Sequence, residues 1–82
     1  MKAIVRVRLK RDVLDPQGDA VKRALDHLGF EGVKGVRVGK LIELELDPAL
    51  ATAPDLEQRL RVMADEMLAN TVVEDYEVEL VS

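Results

Sequence analysis

The spacing of the apolar residues changes repeatedly along this chain, and that succession limits the folds open to it. Residues 2–10 alternate between apolar and mostly basic side chains, which is typical of a half-buried β-strand. Alternation returns in residues 33–38, 41–47 and 72–81, and the stretches between them include two with the three- to four-residue spacing of amphipathic helices. The sequence therefore predicts the element order β-α-β-β-α-β.

That order is the signature of a ferredoxin-like split βαβ unit, which is an α+β fold. We predict a single domain over residues 1–82, with a four-stranded antiparallel-type sheet and two helices on one face. Right-handed crossovers place the first strand between the third and the fourth. The first strand carries Arg6 and Arg8, whereas both predicted neighbours carry glutamates. Opposite charges on neighbouring strands favour this strand order.

The first helix has clear signals at both ends. Asp15 can cap the free backbone N–H groups, and Pro16 suits the first helical position. Gly29 suits a left-handed residue that ends the helix. Gly18 lies in the first turn, where glycine costs up to about 1 kcal/mol relative to alanine. Two explanations stay open: the helix has a weak start, or another part of the chain approaches Gly18 closely.

The second helix begins near residues 53–55. A capping box headed by Thr52 and an N-cap at Ala53 are both compatible with the residues there. Asn70 suits a left-handed residue at the end of this helix. The predicted buried stripe comprises Leu56, Leu60, Met63 and Met67.

The composition argues against several classes of function. There is no cysteine, so a disulfide framework, a thiolate metal site and a thiol nucleophile are excluded. The net charge is −4 and aromatic residues make up 2% of the chain, whereas nucleic-acid binders need basic surfaces and often stacking aromatics. No apolar run approaches the roughly 18–20 residues that span a bilayer. We expect a soluble, cytoplasmic protein with neither nucleic acid nor membrane as a partner.

Candidate catalytic residues are sparse. His27 is the only histidine and lies in the last turn of the first helix, where the free carbonyls favour a cation. The only serine is Ser82, and the carboxylates lie mostly on predicted solvent faces rather than in an apolar pocket that would tune an acid–base pair. We expect no catalytic residue, bound cofactor or metal in this chain. Self-association is a common support for so small a core, so a homo-oligomer is plausible.

Three segments, taken in order, resemble the PurS family of small subunits of phosphoribosylformylglycinamidine synthase. They are Val-Leu-Asp-Pro-Gln-Gly at residues 13–18 with Ala20, then Val36-Arg37 with Gly39-Lys40, and then Leu-Ala-Asn-Thr-Val-Val-Glu-Asp-Tyr at residues 68–76. The resemblance covers the whole chain, although the loop at residues 47–55 looks longer than that family leads us to expect. In this family a large ATP-using subunit makes the amidine with ammonia that a glutaminase subunit releases from glutamine.

The resemblance implies a non-catalytic subunit that bridges the large synthase subunit and the glutaminase subunit and supports ammonia transfer. It also implies self-association as a dimer or tetramer, while ATP, Mg²⁺ and glutamine are used by the complex rather than bound by this chain. Asp15 and Asn70 also have structural explanations as helix caps, and Tyr76 has one as a core residue. The residues expected at the partner interface are Asp15, Gln17, Arg37, Lys40, Asn70, Asp75 and Tyr76.

A different function remains open from the residues alone. A stand-alone ferredoxin-like regulatory domain could bind a small metabolite between paired copies. Such a ligand would raise the midpoint of thermal unfolding, because it binds only the folded state. Only the family resemblance favours the synthase subunit over this alternative.

Overall fold

An antiparallel sheet of three strands forms the centre of the computed structural model, which describes residues 1–81. The strand order is β2-β1-β3, so the first strand lies in the middle and both neighbours run antiparallel to it. The elements are β1 (Lys2–Leu9), α1 (Pro16–His27), β2 (Gly39–Glu45), a 3₁₀ helix (Pro48–Thr52), α2 (Leu56–Met63), a π-helical turn (Ala64–Leu68) and β3 (Glu74–Val81).

The predicted four-stranded ferredoxin-like sheet is wrong, because residues 33–38 form no strand. Strand pairing begins at Gly39, between the two predicted strands at residues 33–38 and 41–47, and this glycine lies opposite Arg8 of β1. The apolar alternation of residues 33–38 fits a strand, but a strand also needs a neighbour for its backbone groups. In this chain the N–H of Val38 donates to the Asp15 side chain instead. Gly32, with φ of 103°, turns the chain just before this segment.

The predicted position of the basic first strand between two acidic strands is confirmed. Arg6 Nη2 lies 2.6 Å from Glu79 Oε2 of β3, and Lys2 Nζ lies 3.3 Å from Glu43 Oε2 of β2. These ion pairs are on the exposed face of the sheet, where each contributes about 0.2–1 kcal/mol. Their main effect is to favour this strand order over others.

The core lies on the other face of the sheet, beneath α2. Ala3, Val5 and Val7 of β1 are almost completely buried. Leu56 and Leu60 of α2 pack there too, and Leu60 is fully buried. One helix on one sheet face thus forms the hydrophobic interior.

The end of α2 departs from the predicted buried stripe. The π-helical turn at Ala64–Leu68 shifts the register of the helix. Ala64, four residues after Leu60, is completely buried and Met63 is 43% exposed, while within the π-helical turn Met67 is 85% exposed. The stripe is confirmed at Leu56 and Leu60 and is wrong at the two methionines.

Both predicted caps of α2 also differ from the structure. Asp55 occupies the N-cap position without a side-chain cap bond, so neither Thr52 nor Ala53 caps this helix. Asn70 is not left-handed, because only glycines have a positive φ within residues 1–81. α2 therefore begins at Leu56, slightly later than the predicted start near residues 53–55.

The predicted ends of α1 are confirmed. Asp15 occupies the N-cap position, and its side chain accepts a hydrogen bond from the N–H of Gly18. Gly29 has φ of 88°, and the N–H of Phe30 donates to the carbonyl of Leu25 over 3.0 Å. Together with the bond from the N–H of Gly29 to the carbonyl of Asp26, this bond makes a Schellman motif at the C-terminus of α1.

The predicted packing of α1 on the sheet is wrong. Within residues 1–81, α1 makes no extensive contact with the sheet or with α2. The radius of gyration is accordingly 16.4 Å, whereas a compact chain of this length has about 12 Å. α1 therefore forms a projecting arm on a small sheet-and-helix body. No helix within residues 1–81 has the length and apolarity needed to cross a membrane.

Candidate interaction surface

The Asp15 carboxylate joins the start of α1 to the segment that precedes β2. Its Oδ1 accepts from the N–H of Gly18 at 2.9 Å, and its Oδ2 accepts from the N–H of Val38 at 2.7 Å. The side chain is buried, with 4% of the residue exposed. The hydrogen bonds from Gly18 and then Val38 hold the pKa of Asp15 below its usual value of 3.8. Asp15 therefore connects two parts of the chain as an ionised acceptor.

Gly18 lies directly against this same segment. A Cβ atom built on Gly18 would be 2.1 Å from the carbonyl oxygen of Val36, which is far shorter than any tolerated contact. Of the two explanations for a glycine in the first turn, the close approach of another part of the chain is confirmed. Residues 15–18 and residues 36–38 are thus in direct contact with each other.

Arg37 and Lys40 lie at the end of the sheet where β1 ends and the other two strands begin. Arg37 Nη2 donates to the carbonyl of Lys10 over 2.8 Å. Lys40 Nζ lies 3.8 Å from Glu74 Oε2. Both cationic side chains remain exposed despite these contacts, so they are accessible to an anionic partner surface.

The segment that leads into β3 reaches the same end of the sheet. The Asn70 side chain accepts from the N–H of Val72 at 3.3 Å, and its backbone N–H donates to Glu74 Oε1 at 2.7 Å. Asp75 follows with its carboxylate 3.5 Å from Lys10 Nζ. Asn70 therefore shapes a tight turn, and Asp75 presents an exposed carboxylate beside a cation.

Tyr76 lies partly within the core. Its ring packs against the cluster that contains Val7 and Ala64, and its hydroxyl donates to the carbonyl of Arg61 over 3.3 Å. Burial, and then the neighbouring Asp65 carboxylate, raise the pKa of the Tyr76 hydroxyl above its usual value. The interpretation of Tyr76 as part of the core is confirmed.

The predicted interface residues fall into two groups by environment. Asp15 is buried and Tyr76 is half-buried, whereas the other five are exposed. The exposed group comprises Gln17 in the first turn of α1, together with Arg37, Lys40, Asn70 and Asp75, and Asn70 in addition shapes its turn through its own hydrogen bonds.

The apolar face of α1 is a second candidate surface, and sequence analysis missed it. The apolar stripe of α1 predicts that this side of the helix is buried, but it does not tell which chain covers it. We expected this chain's own sheet to cover it. The exposed apolar residues on and beside α1, with their exposed fractions, are Leu14 (74%), Val21 (42%), Leu28 (72%) and Phe30 (58%).

The described residues also line shallow grooves on the surface of the protein. One groove, of about 620 Å³, lies beside α2 and Tyr76 and is lined by several charged side chains. Within residues 1–81, no group of three or more histidine, aspartate or glutamate side chains is arranged to hold a metal ion.

Comparison with known proteins places these features in a family. The model of the PurS family, described as phosphoribosylformylglycinamidine (FGAM) synthase, matches residues 2–82. The phosphoribosylformylglycinamidine synthase subunit PurS of Synechocystis is 49% identical to this chain over 77 residues, which are 93% of this chain and 74% of the relative.

Solved structures give the same result. A Bacillus subtilis PurS structure aligns with a TM-score of 0.87 and 42% identity, covering 99% of this chain and 98% of that one. A chain in the structure of PurLQS from Thermotoga maritima aligns with a TM-score of 0.74 and 27% identity, covering 98% of this chain and 95% of that one. The backbone described above is therefore similar to that of PurS proteins over nearly its whole length.

Proposed function

Because this chain belongs to the PurS family, and so is a subunit of phosphoribosylformylglycinamidine synthase in purine biosynthesis, we propose that it acts there as a bridge. It connects the large ATP-dependent subunit to the glutaminase subunit and supports the passage of ammonia between them. It contributes contact surfaces rather than catalytic groups.

The observation that carries this proposal is that the chain has two separate surfaces suited to protein contact. One is the charged end of the sheet, with Arg37, Lys40 and Asp75 exposed. The other is the apolar face of α1, which no element of residues 1–81 covers extensively. A bridging oligomer needs at least two such surfaces, because its copies bind one another through one surface and bind the larger subunits through the other.

Self-association through α1 supports this role. Each copy has an uncovered apolar helix and a sheet whose β2 side, at Ile42 and Leu44, remains only partly buried beneath α2. In a pair of copies related by a two-fold axis, the α1 of each copy covers the β2 side of the other copy's sheet. Such a two-fold arrangement is the usual geometry of a homodimer. A dimer or tetramer built in this way presents two or more copies of the charged sheet end to the larger subunits.

Four of the exposed polar residues, namely Gln17, Arg37, Lys40 and Asp75, are the proposed direct contacts with those subunits. Asp15, Asn70 and Tyr76 contribute through the shape that they give to the same region. ATP, Mg²⁺ and glutamine are handled by the other subunits, and the assembly works in the cytoplasm.

The test is an activity assay of the large and glutaminase subunits from the same source, with and without this protein. With glutamine as the nitrogen donor, we expect amidine formation only when the protein is added. With an ammonium salt, part of the activity should appear without it, because free ammonia bypasses the transfer between subunits.

Equal glutamine-dependent activity with and without the protein would contradict the bridging role. In that case, a thermal-shift screen of amino acids and nucleotides would test the metabolite-binding alternative, since a ligand of the folded state raises the unfolding midpoint.

A further inference from the structure

α1 is joined to the segment before β2 at its N-terminal end, through its N-cap residue Asp15. Beyond the first turn, it has no extensive packing against another element of residues 1–81. The direction in which this helix projects is therefore set by the contacts near Asp15 and by few others.

Those contacts form a connected set, which we call the arm clamp: Asp15, Gly18, Val38, Arg37 and Lys10. The Asp15 carboxylate binds the N–H groups of Gly18 and Val38, one with each oxygen. The Arg37 guanidinium, next to Val38 in the chain, donates to the carbonyl of Lys10 just beyond β1. The clamp thus links the helix to the segment before β2, and that segment to the end of β1.

We propose that the arm clamp fixes the direction of α1 relative to the sheet and so prepares its apolar face to receive a second copy of this chain. Asp15 is the central positioning residue, because one of its oxygens binds the first turn of α1 and the other binds the segment before β2. This inference rests on the proposed self-association and adds the device that orients it.

The physical reason is that ordering a loose segment opposes association. A helix that projects in many directions must lose that freedom when it binds, and the loss weakens the complex. A helix already fixed in the bound direction loses much less. The clamp therefore acts on assembly without itself touching the second copy.

Asparagine at position 15 offers a selective test. Its single acceptor oxygen can still cap Gly18, but its NH₂ group cannot accept a hydrogen bond from the N–H of Val38. Asp15→Asn thus weakens the link between α1 and the segment before β2 while keeping the helix cap. Asp12→Asn, on an exposed turn three residues earlier, is a control that removes the same charge.

Two measurements on the full chain test the proposal. Sedimentation equilibrium over a concentration series gives the dissociation constant of the oligomer, and we expect Asp15→Asn to raise it by about tenfold or more. Amide hydrogen exchange followed by NMR should show faster exchange at Val38, which loses its acceptor, with the β1 amides as protected as in the unchanged protein. Asp12→Asn should match the unchanged protein in both measurements.

The outcomes separate this inference from the proposed function. If Asp15→Asn associates as tightly as the unchanged protein, the clamp does not prepare assembly. If the β1 amides lose protection to the same extent as Val38, Asp15 supports the whole fold rather than the arm, which also overturns the inference. If the unchanged protein stays monomeric at all concentrations, self-association fails, and with it the role of the clamp in assembly. The exchange pattern then still decides whether Asp15 orients α1.

Discussion

The carbonyl oxygen of Val36 occupies the space where Gly18 would carry a side chain. A Cβ atom at Gly18 would lie 2.1 Å from that oxygen. The first turn of α1 and the segment before β2 therefore touch backbone to backbone, and only glycine permits the contact.

Gly18→Ala is expected to lower the free energy of unfolding by about 1–3 kcal/mol, because the added methyl group must displace a backbone carbonyl. The better helix propensity of alanine offsets only about 1 kcal/mol of this cost. The control is Gly35→Ala, since a Cβ there meets no atom within 4 Å, and this change should be neutral or slightly stabilising. Urea unfolding of both variants makes the measurement. Equal stability of the two would contradict the close contact.

Acid should weaken the contribution of Asp15 to stability. The pKa of Asp15 is lowered in the folded protein from its usual 3.8, chiefly by the hydrogen bond from Gly18, so folding favours the ionised carboxylate. Its contribution is complete above the unfolded pKa and is lost as the pH falls through the lower folded pKa. The stability difference between the unchanged protein and Asp15→Asn should thus be constant near neutrality and shrink below about pH 4. A difference that does not change between pH 6 and pH 3 would contradict this.

Val21→Glu should weaken self-association. Val21 lies on the apolar face of α1, and a glutamate there would bring an unpaired charge into an apolar interface. We expect the dissociation constant of the oligomer to rise by about tenfold or more, as measured by sedimentation equilibrium. Arg23→Gln, on the opposite side of α1, changes the net charge by the same amount and should leave association unchanged. If both variants associate normally, α1 is not the interface.

Leu60→Ala should be strongly destabilising, whereas Met67→Ala should not. Leu60 is fully buried, and truncation of such a leucine costs about 2–5 kcal/mol. Met67 is 85% exposed, so its truncation should change stability by less than about 0.5 kcal/mol. Thermal or urea unfolding of the two variants compares them directly. A loss at Met67 as large as that at Leu60 would mean that α2 continues without the π-helical turn.

The double change Arg37→Ala and Lys40→Ala should leave the sheet and α2 folded but weaken binding to the larger synthase subunits. Both cations are exposed at one end of the sheet, where their loss removes attraction to an anionic partner surface. Titration of the subunits by calorimetry measures the affinity, and circular dichroism checks the fold. Because Arg37 also belongs to the arm clamp, sedimentation equilibrium checks that the oligomer is unchanged. Lys34→Ala with Arg23→Ala removes the same charge elsewhere. Unchanged affinity of the first pair, or equal loss in both pairs, would contradict a specific contact.

Local signals in the sequence predicted local structure well. Asp15 and Gly29 mark the ends of α1 because capping depends on residues within one turn of the helix. The basic β1 between two glutamate-bearing strands was predictable, because charges on neighbouring strands leave a pattern in the sequence. Gly18 was identified as unusual for its position, and its cause lay in a distant segment that the sequence alone does not specify.

The failures concern features that depend on the rest of the molecule. The alternation of residues 33–38 is compatible with a strand, but strand formation requires a neighbouring backbone, which a pattern cannot supply. The apolar stripe of α1 predicts burial without telling which chain covers it. The exposure of Met67 follows from one π-helical turn, and a shift of one residue in helix register leaves no mark in apolar spacing.

The attachment of α1 at one end makes it a lever. A helix of 12 residues is about 18 Å long, so a rotation of about 10° at Asp15 displaces the far end of α1 by about 3 Å. That displacement is comparable to a full carbon–carbon contact distance of about 3.5–4 Å and is enough to separate Leu28 from any surface it packs against. A small distortion beside Asp15 thus becomes a large displacement at the C-terminal end of α1. A substitution near Asp15 can therefore shift the whole helix away from a surface that it packs against, whereas a substitution at the far end changes only the contacts made there.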